Sequence, residues 1–189
     1  MKKIVLFASG SGTNAENIIL YFNQKLTAKV VAVFCNNPQA KVLDRAKKHQ
    51  VPTVVFSKDE LNSGFVLKKL DEYNPDIIVL AGFLWQFPKS IIEKHPNSII
   101  NIHPALLPKY GGKGMYGMHV HAAVLENNEP ETGISIHYVN EHYDEGNIIF
   151  QQSVKIDDCK TPEEIAVKIH ELEHKHFPIV IEEILNLKS

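Results

Sequence analysis

Asn101-Ile102-His103-Pro104 follows directly on the short run Ser98-Ile99-Ile100. Residues two apart on a strand face the same side, so an amide and an imidazole leave the strand end together. In open α/β sheets, ligands bind just outside the carboxyl ends of the strands, which makes Asn101 and His103 candidate ligand-facing groups. Asp144, in the turn Asp144-Glu145-Gly146, offers a carboxylate that joins them if the later strands pack beside this one. Singly, each has a plain structural reading. A histidine before proline is usually a satisfied structural group, and Asp-x-Gly is usually only a turn.

A second candidate is Ala8-Ser9-Gly10-Ser11-Gly12-Thr13-Asn14-Ala15. Gly10, Gly12 and Ala15 fit a dinucleotide fingerprint, but that site needs a carboxylate at the end of the second strand. Cys35-Asn36-Asn37 stands there instead, and the loop lacks a P-loop lysine. Small residues let backbone N–H groups approach an anion, and the following helix adds positive potential. Gly12, Thr13 and Asn14 therefore suit a terminal phosphate on a small metabolite. The structural alternative is a glycine turn with a threonine or asparagine cap. His119-x-His121 and the trio His170, His174 and His176 invite a zinc reading. No cysteines accompany them, and no metal is expected, although His170-Glu171-Leu172-Glu173-His174 does have the H-E-x-x-H spacing.

These groups need a frame. Ile4–Ala8 and Val30–Phe34 read as strands buried on both faces, and Thr53–Phe56, Ile77–Leu80 and Ser98–Ile102 as further, largely apolar strands. Helical segments lie between them, around residues 17–22, 39–49 and 64–73. From residue 132 to 139 the pattern alternates, and apolar fragments at 148–150 and 154–156 follow a turn, as in an antiparallel extension. Thr161-Pro162-Glu163-Glu164 is a capping box. It opens a last helix that Pro178 is expected to kink or break. The expected fold is α/β: an open, mostly parallel Rossmann-like sheet, helices on both faces, an antiparallel C-terminal extension, and a single domain over 1–189. With 44% apolar residues a sizeable core is available. The formal net charge of −2 gives no footprint for nucleic acid. No apolar span reaches the ~18 residues that a membrane helix needs. Cys35 and Cys159 show neither disulfide nor metal spacing, which fits a reduced, cytoplasmic setting.

Taken in chain order, "ASGSGTN", "LAGFLWQF", "NIHPALLPKY", "TGISIHYV" and "HYDEGNII" resemble the folate-dependent formyltransferase family over essentially the whole chain. The resemblance implies transfer of a formyl group from 10-formyltetrahydrofolate to an amine, here the glycyl nitrogen of glycinamide ribonucleotide in purine synthesis. Asn101, His103 and Asp144 fall on the family's catalytic trio, with His137 in support. Gly12, Thr13 and Asn14 match its phosphate loop, and Glu173 and His170 its substrate contacts on the last helix. Leu84, Trp85, Gln86 and Phe87, together with Asn101 and the run Asn140, Glu141, His142, Tyr143 and Asp144, match the folate-binding segments. The implied partners are small molecules, with the protein a monomer or homodimer.

The residue types suit that chemistry. Amine attack on a formyl carbon creates an oxyanion, and an amide and an imidazolium are fitting donors to it. Asp144 is expected to raise the pKa of His103 and to relay protons. Trp85-Gln86 stands where many relatives carry Arg or Ile. Residues 111 to 118 form a longer, glycine-rich loop that reads as a lid or as a solvated surface loop. Two kindred chemistries, a sugar-nucleotide formyltransferase and a formyltetrahydrofolate deformylase, fit less well. The Ser-Gly-Thr-Asn loop favours a simple phosphate, and no regulatory domain is read ahead of the first strand. A non-catalytic nucleotide-binding regulator would not need the whole trio.

Overall fold

The computed structural model describes residues 1–187. The chain runs β1 (Lys2–Ala8), α1 (Thr13–Lys25), β2 (Ala28–Cys35), α2 (Lys41–Lys48), β3 (Thr53–Val55), α3 (Lys58–Asn62), α4 (Phe65–Tyr73), β4 (Ile77–Leu80), α5 (Lys89–Lys94) and β5 (Ile99–His103). It then closes with α6 (Met118–Glu126), β6 (Glu131–Tyr138), β7 (Ile148–Lys155) and α7 (Pro162–Leu187). The seven strands form one sheet in the order β3-β2-β1-β4-β5-β6-β7. Pairs from β3 through β5 are parallel, and β6 and β7 run antiparallel.

The central strand explains the layering. Ile4, Val5, Leu6 and Phe7 are all fully buried, because alternate side chains enter opposite faces. Ile4 and Leu6 join a core with α1 and α7 residues such as Ile18, Phe22, Phe177 and Ile181. Val5 and Phe7 join an aromatic core with Phe34, Phe56, Phe83 and Phe87. Phe7 stacks on Phe34 at 4.8 Å and meets Phe87 edge-on at 4.9 Å. Flanked by β2 and β4, β1 marks where the strand order reverses. The chain leaves β1 and β4 toward opposite faces there, opening a crevice at their carboxyl ends.

Several local expectations change. His103 is the last residue of β5 rather than the first beyond it, so the imidazole sits on a rigid ladder. The fragments at 148–150 and 154–156 are one strand. Gln151-Gln152-Ser153 continues the pairing with β6, since a ladder needs backbone groups and the largely exposed β7 accepts polar side chains. The short helices α3, α5 and α6 were not read from the sequence, although Ser57 and Glu60 close a capping box on α3.

Thr161 and Glu164 do form the anticipated box, through Glu164 N to Thr161 Oγ1 at 3.3 Å and Thr161 N to a Glu164 carboxylate oxygen at 3.2 Å. Pro178, however, does not end α7, which runs on to Leu187. A proline leaves the carbonyl four residues earlier without its helical donor. That carbonyl, on His174, accepts from Asn17 Nδ2 of α1 at 2.8 Å. The pairing removes the polar cost of carrying proline within the helix.

Candidate active site

The loop after β1 enters α1 through Gly12, whose φ of 73° is left-handed. A Cβ there would lie 2.4 Å from Val42 Cβ, so both conformation and space require glycine. Neither Thr13 nor Asn14 caps α1. Instead Asn14 Nδ2 donates to Glu173 Oε2 at 2.8 Å. Asn14 Oδ1 is buried with no partner among the described residues. His170 Nδ1 lies 3.0 Å from the same Glu173 oxygen. That hydrogen bond raises the His170 pKa against the opposing effect of burial. Glu173 itself is only 5% exposed, so α7 presents a buried carboxylate beside the loop at Gly12.

At the end of β5, the antiparallel pairing sets Asn101 opposite His137 and His103 opposite Ser135. With the His137 ring proton on Nδ1, that atom donates to Tyr138 O at 2.9 Å, and Nε2 accepts from Asn101 Nδ2 at 3.1 Å. Asn101 Nδ2 also approaches Asp144 Oδ1 at 3.5 Å. His103 Nε2 donates to Tyr110 O at 2.7 Å, leaving Nδ1 turned to Asp144 Oδ2 at 3.5 Å. Asp144 accepts from Gly112 N at 2.9 Å.

The turn holding Asp144 takes its bend from the aspartate rather than from a glycine. Asp144 itself adopts the left-handed conformation, with φ 57°. Gly146 is required because a Cβ there would fall 1.6 Å from Tyr138 O.

Electrostatics corrects one expectation. Asp144 does act to raise the His103 pKa, as does the Tyr110 carbonyl, but burial of the 3%-exposed ring outweighs both. The net direction is below the ordinary histidine value. For Asp144, burial pushes upward, but contacts with His137, His103 and Gly112 together hold it below the usual carboxylate value.

The wall opposite is built after β4. Ser9 Oγ accepts from Leu84 N at 3.1 Å, bridging the loops that follow β1 and β4. Trp85 packs edge-on against Phe56 and Phe83, both at 6.3 Å. Gln86 Nε2 donates to Glu141 O at 2.6 Å, tying together the two segments assigned to folate. Phe87 reaches the cleft floor but is mostly core, buried against Phe7 and Phe83. The Glu141 carboxylate points away, to Lys89 at 3.1 Å. Apart from Glu141, every candidate site residue lines one cleft of about 720 Å³. Residues 112–118 line it too, between the Gly112 contact to Asp144 and the start of α6.

Two contributors went unread in the sequence. His121, considered only as a metal ligand, is a buried cleft residue on α6. Burial depresses its pKa, and its Nδ1 has no partner among the described residues. Ser135 is wholly buried. It accepts from Leu107 N at 2.9 Å and donates to Ala105 O at 2.7 Å, fixing the segment that follows His103. Only the unread helix α6 would have pointed to the first. An isolated serine on an alternating strand gave no sign of the second.

The model of the formyl transferase family matches residues 2–181. The chain is 35% identical to phosphoribosylglycinamide formyltransferase of Bacillus subtilis, an alignment covering 100% of this chain and 97% of that one. It is 37% identical to the chloroplastic phosphoribosylglycinamide formyltransferase of Arabidopsis thaliana over 95% of this chain, but spans only 64% of the plant protein. The crystal structure of phosphoribosylglycinamide formyltransferase from Bacillus halodurans superposes with a TM-score of 0.89. That match is at 33% identity and covers 100% of this chain and 97% of the other.

Proposed function

This chain belongs to the formyl transferase family, and we propose that its cleft moves the formyl group of 10-formyltetrahydrofolate onto the glycyl amine of glycinamide ribonucleotide. The protein is an enzyme, a formyltransferase of purine biosynthesis acting on small molecules. The donor and the part played by each residue are our reading, on one domain over 1–189 in a cytoplasmic setting. Among the described residues no helix is long and apolar enough to cross a membrane. The observation that carries the reading is the meeting of Asn101, His103 and Asp144 at the end of β5, in a cleft shared with the loop at Gly12.

One Asn101 amide proton is taken by His137. The other meets only the 3.5 Å contact to Asp144, beyond ordinary hydrogen-bond length, and is free to turn to an oxyanion. His103 Nδ1 faces the same space and becomes a donor when the ring is protonated, because the Nε2 proton is already committed to Tyr110. Each such donor typically contributes ~2.7–4 kcal/mol to the transition state. Asp144, held ionised, accepts the proton released by the attacking amine, directly or through water. It returns a proton to the departing folate nitrogen, so the proton balance closes. Asn14 Oδ1 and Glu173 are acceptors, suited to ribose hydroxyls. The aromatic wall at Trp85 and the backbone between Asn140 and Asp144 fit a flat heterocycle with polar edges, as a pterin has.

Incubation with 10-formyltetrahydrofolate and glycinamide ribonucleotide, followed by the release of tetrahydrofolate, tests the reading. Release should depend on the ribonucleotide. Equal release without it would identify a deformylase, and release only with an amino-sugar nucleotide would identify the sugar-directed reaction. No release with any acceptor would leave a binding protein.

A further inference from the structure

Consecutive carbonyls of the phosphate loop are all engaged on the side away from the cleft. Gly10 O accepts from Val42 N at 3.2 Å and Gly12 O from Glu16 N at 2.9 Å. Between them, Ser11 O accepts from Arg45 Nε at 2.9 Å. In a trans peptide the C=O and the following N–H point in opposite directions. Fixing these carbonyls therefore turns the N–H groups of Ser11, Gly12 and Thr13 the other way, forming a concave set of donors of the kind that holds anions.

Arg45 is itself held. Its Nη1 pairs with Glu16 Oε2. The other Glu16 oxygen meets His49 Nε2 at 3.0 Å and Lys48 Nζ at 3.7 Å. Glu16 lies in the first turn of α1 and the other three lie on or just after α2. Loop, α1 and α2 are thus closed into a ring through one guanidinium. Arg45 is absent from the residues lining the cleft, so it reaches a ligand only through Ser11.

We propose that Arg45 is a positioning residue for the phosphate of the ribonucleotide, orienting the Ser11–Gly12 peptide from behind the loop. The inference rests on the reading of this loop as the ribonucleotide phosphate site. It assigns to α2 a part in acceptor recognition.

Steady-state kinetics with glycinamide ribonucleotide and with its dephosphorylated riboside provide the test. Arg45→Gln should raise KM for the ribonucleotide by about tenfold or more, the scale of one hydrogen bond to a charged group. The KM for 10-formyltetrahydrofolate and kcat should stay within about twofold, because the oxyanion donors are untouched. On the riboside, which has no phosphate to misplace, variant and parent should be equal. Arg45→Lys keeps the charge without the two-pronged grip and should resemble the glutamine variant.

Equal losses on ribonucleotide and riboside would make the defect a general structural one and overturn the proposal. An unchanged ribonucleotide KM, or full rescue by lysine, would do the same. If Arg45→Gln does not fold, Glu16→Gln leaves Arg45 in place but unanchored, and its ribonucleotide KM should rise in the same selective way. A parent protein that shows no preference for ribonucleotide over riboside would instead remove the phosphate reading of the loop, and this inference with it.

Discussion

On the proposed reading, Asn101 serves both strand end and reaction. Its amide satisfies His137 and its second proton, with only the 3.5 Å contact to Asp144, would meet an oxygen in the cleft. Asn101→Ala is predicted to keep its circular dichroism spectrum while turnover falls by about 10²–10³, the scale of one oxyanion donor. Near-normal turnover would reduce Asn101 to a partner for His137. Asp144→Asn is predicted to lower the His103 pKa still further. The ring already titrates below its ordinary value because burial outweighs the help of Asp144, and removing that negative charge leaves burial less opposed. Activity that depends on the imidazolium should then fade at lower pH as pH rises. Turnover should drop by roughly 10²–10⁴ if Asp144 also relays protons. Histidine NMR titration, assigned with His103→Ala, reads the shift, and an unchanged or higher His103 pKa would refute the electrostatic pairing.

Among the elements, the entry to α1 is the most constrained. Gly12→Val forces a branched side chain into a left-handed φ and against Val42. Ribonucleotide affinity should fall by about tenfold or more, by loss of the N–H cradle, while donor affinity holds. Separate titrations of the two ligands would show this, and loss confined to the donor would mean the loop is misassigned. This loop and the Asn101-x-His103 pair were legible because each is a contiguous stretch whose local geometry fixes its direction. The hold of Arg45 on Ser11 was not, since it joins residues 34 positions apart. Nor was the outward turn of the Glu141 side chain, which a neighbouring helix decides through Lys89.

At the scale of the whole molecule, the apolar runs announced the parallel strands and so the layered sheet, although the edge strand β3 leaves Thr53 and Val55 exposed. They could not announce the balance of charge and burial inside it. Burial depresses the pKa values of His95, His103, His121, His174 and His176, whereas His170 moves upward through its bond to Glu173. A histidine depressed in the folded state stabilises the fold above its unfolded value, ~6.5, and loses that contribution as pH falls through the folded value. The His170 contribution has the opposite sign. The urea midpoint should therefore decline between about pH 7.5 and 5.5, before most carboxylates titrate. A midpoint that rises on acidification would show that the raised His170 dominates.

The bond from Asn17 to the His174 carbonyl has a meaning for descent. The carbonyl needs an outside donor only because position 178 is proline. In a lineage where Pro178 gives way to a residue with its own N–H, the helix repairs itself and position 17 is released to drift. A lineage that loses Asn17 first leaves that exposed carbonyl to water until proline goes too. Positions 17 and 178 should therefore have changed together, with proline leaving before asparagine.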